Sequence, residues 1–274
     1  LYNLSMKWAG EYNRLFPGTQ IKVINISDQG AADELIKDGN IGFVSNEYYP
    51  GLKSESIIWK VVVGRDVIVP IINSKNPYMK EISLYGISPE NFARFLSNKD
   101  SRNWGTLLNN GQNSPANYYC IDDGSAVKSL AGFLNTDQTN IAGNITGNVE
   151  EIIASVQKDP YAIGFCKMID ILDFKNQSII ENIKLLPIDR NGNGLIDYNE
   201  NIYDDFNAFA RGVWIGKYPR ILVSNIYSVS LAQPESGTEI AFLKWVLTDG
   251  QQFLLSYGYS DLLVSERQSA ADKL

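Results

Sequence analysis

Apolar residues in the first 45 positions recur first at helical and then at strand spacing. Leu4, Trp8, Tyr12 and Leu15 recur at helical spacing, which predicts a helix that ends at Pro17-Gly18. Three shorter patterns follow, and they predict a strand at Ile21–Ile26, a helix at Ala31–Lys37 and a strand at Ile41–Val44. This alternation of helices and strands is typical of an α/β fold with a parallel sheet.

Two long β-branched runs are the next feature of the pattern. The first, Trp59–Asn73, is longer than an ordinary strand, and the second, Ile221–Leu231, alternates as a strand does. A strand of that length can run from one domain into the next, so the two runs mark two crossings. We therefore expect a discontinuous first lobe at 1–64 plus 214–274 and a second lobe at 65–213.

The chain between and after the crossings continues the alternation. Ser88-Pro89-Glu90 predicts a helix start, because serine caps free N–H groups and proline fits the first turn. Trp104-Gly105 is expected in a loop. Further predicted elements are a strand at Asn117–Ile121, a turn at Asp122–Ser125, a helix at Val127–Phe133, a helix at Val149–Val156, a strand at Ala162–Cys166 and a tail helix at Thr238–Phe253.

Composition narrows the chemistry more than the fold. The 274 residues include no histidine and two cysteines, which excludes imidazole catalysis, His-ligated zinc and a Cys₄ zinc site. The net charge of −7 argues against nucleic acid as a partner. Adjacent carboxylates such as Asp122-Asp123 suggest acid–base chemistry, but neither a nucleophile motif nor a phosphate-cradling loop accompanies them. The composition therefore favours a binding protein over an enzyme.

The chain carries no sequence pattern of a membrane span. No uninterrupted run of 18 apolar residues occurs. The sequence opens at Leu1-Tyr2-Asn3-Leu4, without a basic stretch followed by an apolar one. We expect either that a signal peptide has been removed or that the sequence starts inside its first domain.

The strongest local motif is a twelve-residue stretch from Asp189 to Glu200 with oxygen-bearing side chains at alternate positions. It matches an EF-hand calcium loop, in which Gly194 permits the sharp turn. The alternative is a polar turn that binds nothing.

Ile183–Leu186 is predicted to be extended, so the loop lacks an entering helix, and no second loop accompanies it. This favours one structural ion over a sensor. The predicted calcium ligands are Asp189, Asn191, Asn193, Leu195 (through its carbonyl oxygen), Asp197 and Glu200.

Six segments share an order and spacing that is more specific than any one of them. They are Val63-Gly64-Arg65-Asp66, Asn73-Ser74-Lys75-Asn76-Pro77, Asn103-Trp104, Asp122-Asp123-Gly124-Ser125, Asp159-Pro160-Tyr161-Ala162-Ile163-Gly164-Phe165 and Phe242-Leu243-Lys244-Trp245-Val246-Leu247-Thr248-Asp249-Gly250-Gln251. Together they cover nearly the whole chain. In this order they resemble the phosphate-binding (PstS-like) substrate-binding proteins of bacterial ABC importers.

The resemblance implies a fold, a function and a set of partners. The fold is the two-lobed type II periplasmic-binding-protein fold, in which each lobe is a mixed, mostly parallel sheet flanked by helices and a cleft separates the lobes. The function is solute binding for an ABC-type importer, with a membrane ABC permease as partner and a small anion such as phosphate as candidate ligand. A monomer in the periplasm or at the cell surface is expected, with a lipoprotein anchor left open.

The resemblance also implies ligand residues at the N-termini of two helices. The family's loop Arg-x-Asp-x-Ser-Gly-Thr is matched here by Asp123 and Ser125, whereas its arginine, glycine and threonine are missing. Asn40 stands where an acidic residue is common. Because no neighbour in the sequence replaces the arginine, the resemblance implies an altered site with weak or no phosphate binding. The implied ligand-binding residues are Ser27, Asp28, Gly30, Asn40, Asp123, Gly124 and Ser125.

Two alternatives to this interpretation stay open. Asp28, Asp122 and Asp123 can act as helix N-caps instead of ligand contacts. The whole chain can also be a non-transport sensor or partner-binding module on the same fold, with a degenerate cleft.

Two further pairs of residues allow more than one interpretation. Tyr48-Tyr49 follows a strand end and can be structural or can line a sugar or amine site. Cys120 and Cys166 can be two buried, inert thiols, or they can form a disulfide if their Cα atoms lie within about 7 Å.

Overall fold

The structure is a computed structural model, and it describes residues 1–25, 41–45, 59–98, 102–142, 148–235 and 237–274. These residues form ten α-helices and four short 3₁₀ helices. The α-helices are α1 Tyr2–Leu15, α2 Met79–Tyr85, α3 Pro89–Ser97, α4 Trp104–Leu108, α5 Gly124–Phe133, α6 Gln138–Ala142, α7 Val149–Lys158, α8 Phe206–Trp214, α9 Gly237–Leu247 and α10 Val264–Ala271. The 3₁₀ helices are Met168–Ile171, Arg220–Leu222, Asp249–Phe253 and Leu255–Tyr257.

The described strands are mostly antiparallel to their neighbours. They are β1 Gly42–Val44, β2 Trp59–Asn73, β3 Tyr118–Cys120, β4 Ile163–Lys167, β5 Leu172–Asp173, β6 Ser178–Ile179, β7 Ile183–Leu185 and β8 Val223–Ser230. The strand order is β1-β8-β2-β4-β3, β7 also pairs with β2, and β5 and β6 pair separately. The α/β class is confirmed. The expectation of mostly parallel sheets is wrong for the described pairs. Strands β3 and β4 do run parallel, but β2 runs antiparallel to both β4 and β7.

The chain divides into two compact units. The first contains 1–66 and 224–274, and the second contains 67–223. Strand β2 passes from the first unit into the second, and the chain returns to the first unit at the start of β8. The return crossing predicted from the sequence lies earlier, after position 213. The difference arises because Tyr218 and Leu222 pack into a core cluster of the second unit.

The core of the first unit includes one face of α1. Leu4, Trp8 and Tyr12 are buried, as their spacing predicts, whereas Leu15 at the end of α1 is exposed. The Trp8 indole N–H donates to the Gly250 carbonyl oxygen at 2.8 Å. The Tyr12 ring meets Phe242 of α9 edge-on, with 5.1 Å between ring centroids. These contacts attach α1 to α9 and to the 3₁₀ helix that follows it.

The core of the second unit consists of two apolar clusters that share β2. Side chains alternate between the faces of a strand. Ile68 and Ile72 therefore join one cluster, together with residues of α3, α4 and α5. Val67, Val69 and Ile71 join the other, together with residues of α7 and α8. Burial on both faces explains why the sequence of β2 is a continuous apolar run.

Strand β4 repeats this alternation and separates the two cysteines. Cys120 is paired in register with Phe165, and both belong to the cluster on the α5 side. Cys166, the next residue along β4, belongs to the opposite cluster. Both cysteines are free and buried, so the structure favours the interpretation as two inert thiols.

The expectation of a loop at Trp104-Gly105 is wrong. Trp104 begins α4, because the Asn103 side-chain oxygen accepts the Thr106 N–H at 2.8 Å and caps the helix. The Trp104 indole N–H donates to the Tyr161 carbonyl oxygen at 3.1 Å.

The predicted strand Ile21–Ile26 is wrong for its described part, residues 21–25, which form no regular element. The Ile21 N–H donates to Asn13 Oδ1 at 2.7 Å, and the Ile21 carbonyl accepts from Asn13 Nδ2 at 2.9 Å. The main chain of Ile21 is thus bonded to a side chain of α1. Ile26 and the predicted helix Ala31–Lys37 lie outside the described residues.

Other predicted elements are confirmed with shifted ends. Ser88 caps α3, since its hydroxyl accepts the Asn91 N–H at 3.2 Å. The tail helix ends at Leu247 instead of Phe253 and continues as a 3₁₀ helix. The helix predicted to begin at Val127 begins at Gly124.

Both thiols should resist alkylation in the folded protein. Burial raises the pKa of Cys120 to about 11 and raises that of Cys166 well above its usual value. The reactive species is the thiolate, which is scarce for such groups at roughly pH 8. Iodoacetamide should therefore leave the native mass unchanged and should add two groups in urea. Labelling of the native protein at the rate of an exposed cysteine would contradict this burial.

Candidate functional site

The loop after β3 lies at the carboxyl ends of two adjacent parallel strands. Tyr118 is in register with Ile163 and Cys120 with Phe165, so β3 and β4 end side by side. Residues 121–123 follow β3, and α5 begins directly after them. Ligands of α/β folds commonly bind at this edge of a sheet.

Asp123 bonds to two groups at this edge. Its Oδ1 accepts the Ala126 N–H at 3.0 Å, which is an N-cap contact for α5. Its Oδ2 accepts a hydrogen bond from Lys167 Nζ at 2.8 Å. The side chains of Asp123 and Lys167 are 20% and 14% exposed, so the ion pair is largely shielded from water. Asp123 therefore does act as an N-cap, and its contact with a ligand stays a prediction.

Lys167 is the residue of this site that sequence reasoning missed. It is the last residue of β4, two positions after Phe165, so its side chain lies on the face that α5 covers. The Lys167 N–H donates to Asp170 Oδ2 at 2.9 Å, where the strand ends. The alternation of side chains along β4 predicts on which face of the sheet Lys167 lies. Only the pairing of β3 with β4 brings it to Asp123.

The predicted ligand residues are described only in part. Gly124 is the exposed first residue of α5, and Ser125 follows it in the first turn. The structure thus brings Asp123, which directly precedes Gly124, together with Lys167. Outside the described residues lie Ser27, Asp28, Gly30 and Asn40, and also Tyr48-Tyr49. The meeting of the two predicted ligand loops therefore stays a prediction.

The predicted calcium loop is folded around Asp189, which is buried. Asp189 Oδ1 accepts N–H groups from Gly192 at 2.8 Å and Asn193 at 3.2 Å, and Oδ2 accepts from Gly194 at 2.8 Å. The φ angles of Gly192 and Gly194 are 70° and 82°, in the left-handed region that glycine adopts without strain. The strand β7 precedes the loop, so the predicted absence of an entering helix is confirmed.

Glu200 closes the loop from its other end. Its side chain is buried, Oε1 accepts the Asn191 N–H at 3.0 Å, and Oε2 has no hydrogen-bond partner among the residues that the structure describes. The Asn191 amide donates to Asp197 Oδ2 at 3.0 Å. A buried carboxylate oxygen without a partner is destabilising, and a cation would satisfy it. Within the described ranges, no three or more Asp, Glu, Cys or His side chains form a group that could hold a metal ion. An ion here therefore also needs amide and carbonyl oxygens.

Two neighbouring segments of the second unit hold the loop. The Ile196 N–H donates to the Leu84 carbonyl oxygen at 2.9 Å, near the end of α2. The Arg190 guanidinium donates to the Gly216 carbonyl oxygen at 2.9 Å, just after α8. The loop thus connects α2 with the end of α8, which suits a structural clamp.

Comparison with known proteins finds similarity at the level of structure. No protein-family model and no curated protein sequence matches the chain. A Clostridium perfringens protein described as a phosphate ABC transporter substrate-binding protein, solved with bound phosphate, has a TM-score of 0.65 and 16% identity over 96% of each chain. PstS from Borrelia burgdorferi has a TM-score of 0.57 and 17% identity, covering 96% of this chain and 95% of its own. The regulatory domain of CcmR from Synechocystis PCC6803, in complex with 2-PG, has a TM-score of 0.51 and 11% identity, covering 91% and 92%.

These similarities show that the chain has the fold of PstS-like substrate-binding proteins, the type II periplasmic-binding-protein fold. The CcmR domain shares this fold, so the fold alone does not define a role. None of the described helices is long and apolar enough to cross a membrane.

Replacing Gly86 should destabilise the second unit through the loop from Asp189 to Glu200. Gly86 has φ +62°, and an added Cβ would lie 2.4 Å from Ile196 Cδ1 and 3.0 Å from the Asp189 nitrogen. We expect Gly86→Ala to lower the free energy of unfolding by about 2–4 kcal/mol, from backbone strain together with the clash. Urea unfolding measures this loss.

Gly216→Ala is the matched control for this prediction. Gly216 has φ +80°, but nothing lies within 4 Å of an added Cβ. We expect this variant to lose about 1 kcal/mol from backbone strain alone. Equal losses for the two variants would contradict the close packing of Gly86 against the loop.

Proposed function

We propose that this chain is the solute-binding component of an ABC-type importer, acts outside the cytoplasmic membrane and has a membrane ABC permease as its partner. The fold it shares with substrate-binding proteins supports this role. The two compact units, joined through β2 and β8, suit capture of a solute by hinge closure. The observation that carries the proposal is the polar pair Asp123–Lys167 at the carboxyl ends of β3 and β4.

The proposed ligand site differs from that of a tight phosphate binder. Ile121 stands where the family's loop has arginine, and Asp122 and Asp123 add negative charge before α5. Lys167 supplies an ammonium, which is one strongly hydrated charge and not the bidentate fork of a guanidinium. We infer a site of low phosphate affinity. Its proposed members are Asp123, Gly124 and Ser125, with Ser27, Asp28, Gly30 and Asn40 from the other loop.

A second candidate is a non-transport sensor or partner-binding module. The similarity to the CcmR regulatory domain and the incomplete oxyanion motif favour it. Neither candidate is an enzyme. They differ in whether solute binding changes the shape of the whole chain.

A panel of solutes should contain one that both stabilises and compacts the protein. Phosphate, sulfate, molybdate, small carboxylates and amino acids form the panel. A binder at a hundredfold excess over its Kd should raise the free energy of unfolding by about 2.7 kcal/mol. Thermal melting finds the binder, and small-angle X-ray scattering should then show a smaller radius of gyration. A binder that leaves the radius unchanged would favour the sensor, and a panel without any binder would contradict solute binding.

We infer in addition that the loop from Asp189 to Glu200 binds one structural calcium ion. Its donors are all oxygens, which hard cations prefer. The support is the buried Glu200 Oε2, which has no partner within the described part of the chain, and the orientation of the Asp189 carboxylate by three N–H groups. The proposed ligands are those named from the sequence: Asp189, Asn191, Asn193, the Leu195 carbonyl, Asp197 and Glu200.

Calcium should raise the melting temperature, and EGTA should lower it. At a hundredfold excess over Kd the ion adds about 2.7 kcal/mol to the free energy of unfolding, because it binds the folded loop and not the unfolded chain. Glu200→Gln keeps the side-chain shape but removes the charge, so most of the calcium-dependent shift should disappear.

Glu150→Gln is the control, because Glu150 is exposed on α7 and lies outside the loop. It should keep the full calcium response. A melting temperature that EGTA leaves unchanged in the unsubstituted protein would contradict a structural ion.

A further inference from the structure

The Asp123–Lys167 ion pair lies where the proposed function places a solute. We propose that Lys167 receives a negatively charged group of that solute, and that Asp123 sets the affinity by competing for the same ammonium. The inference rests on the proposed solute-binding function. It adds a specificity-determining residue that the loop motif does not contain.

The position of Lys167 is determined by pairing on both sides of its strand. Lys167 is in register with Ile68 of β2, while Phe165, two residues earlier, is in register with Cys120 of β3. Its side chain therefore reaches the end of β3 and the start of α5, and it is 14% exposed. An ammonium carries three donors, so it can hold a protein carboxylate and a solute oxygen together or exchange one for the other.

The charge of Asp123 is not needed for its role as an N-cap. Asparagine caps a helix as well as aspartate does, because a side-chain oxygen is sufficient to accept the Ala126 N–H. What the negative charge adds is the bond to Lys167 at 2.8 Å. An anion that binds here competes with a carboxylate that α5 already holds in place.

The surrounding charges indicate the class of solute. Asp122 is exposed beside Asp123, and Asp170 accepts the Lys167 main-chain N–H. Two carboxylates therefore bond to Lys167, Asp123 at the ammonium and Asp170 at the main-chain N–H, and their charges repel a dianion more than a singly charged group. The geometry favours a small solute with one singly charged anionic group, such as a carboxylate.

Inorganic phosphate is the probe for this competition, measured by calorimetric titration at low ionic strength. Asp123→Asn should tighten phosphate binding about tenfold, because it removes the negative charge that bonds Lys167 Nζ and keeps the cap. Adding Lys167→Gln to Asp123→Asn should remove that gain and weaken binding at least about tenfold. Lys167→Arg in the same background should keep most of the affinity, since it keeps the charge.

Matched controls exist in the same unit. Asp205 caps α8 by accepting the Ala208 N–H at 2.8 Å, so Asp205→Asn removes the same charge from the same kind of cap. Lys128 is exposed on α5, so Lys128→Gln removes a lysine charge outside the ion pair. Neither control should change the phosphate affinity. Urea unfolding of every variant separates a loss of affinity from a loss of fold.

The outcomes for Lys167 and for the proposed function can be told apart. Equal phosphate affinity in the unsubstituted protein and Asp123→Asn, including no binding by either, would overturn the inference. A panel solute that binds Lys167→Gln as tightly as the unsubstituted protein would also overturn it, while the solute-binding function would stand. Tighter phosphate binding by Asp123→Asn without any binder in the panel would support Lys167 and contradict the import function.

Discussion

Burial of β2 on both faces is the constraint on which the second unit depends. From Asp66 to Asn73 every residue of this strand is buried, and the apolar side chains alternate between two clusters. A strand without solvent on either side must bond its main chain internally, and β4 and β7 supply antiparallel partners. At its end the Asn73 amide donates to the carbonyl oxygens of Val156 and Gln157, at 2.8 and 2.9 Å, and so ties the strand to α7.

Both candidate sites are positioned by strands that pair with β2. On one side, the register of Ile68 with Lys167 places the lysine on the face where α5 and Asp123 lie. A shift of one residue would turn it to the opposite cluster. On the other side, the register of Ile71 with Leu185 places β7, and the predicted calcium loop begins a few residues later at Asp189. The ion pair and the loop are therefore two consequences of one buried strand.

The sequence predicts best those features whose interactions are local or strongly periodic. The bounds of β2 agree with the apolar run Trp59–Asn73, and the turns of the loop from Asp189 to Glu200 follow a pattern contained within twelve residues, while its calcium ion stays a prediction. The failures occur where one polar side chain overrides the pattern. Asn103 starts a helix at a predicted loop, and Asn13 bonds the main chain of a predicted strand. Lys167 could not be found because its partner lies 44 residues away and only strand pairing joins them.

A crystal structure of the protein with its bound solute tests the central claim most directly. That claim is that solute binding occurs at the carboxyl ends of β3 and β4, beside the ion pair. The account predicts electron density for an anionic group within hydrogen-bond distance of Lys167 Nζ, next to the start of α5. Solute density elsewhere in the molecule, with no solute atom within hydrogen-bond distance of Lys167 Nζ, would contradict it.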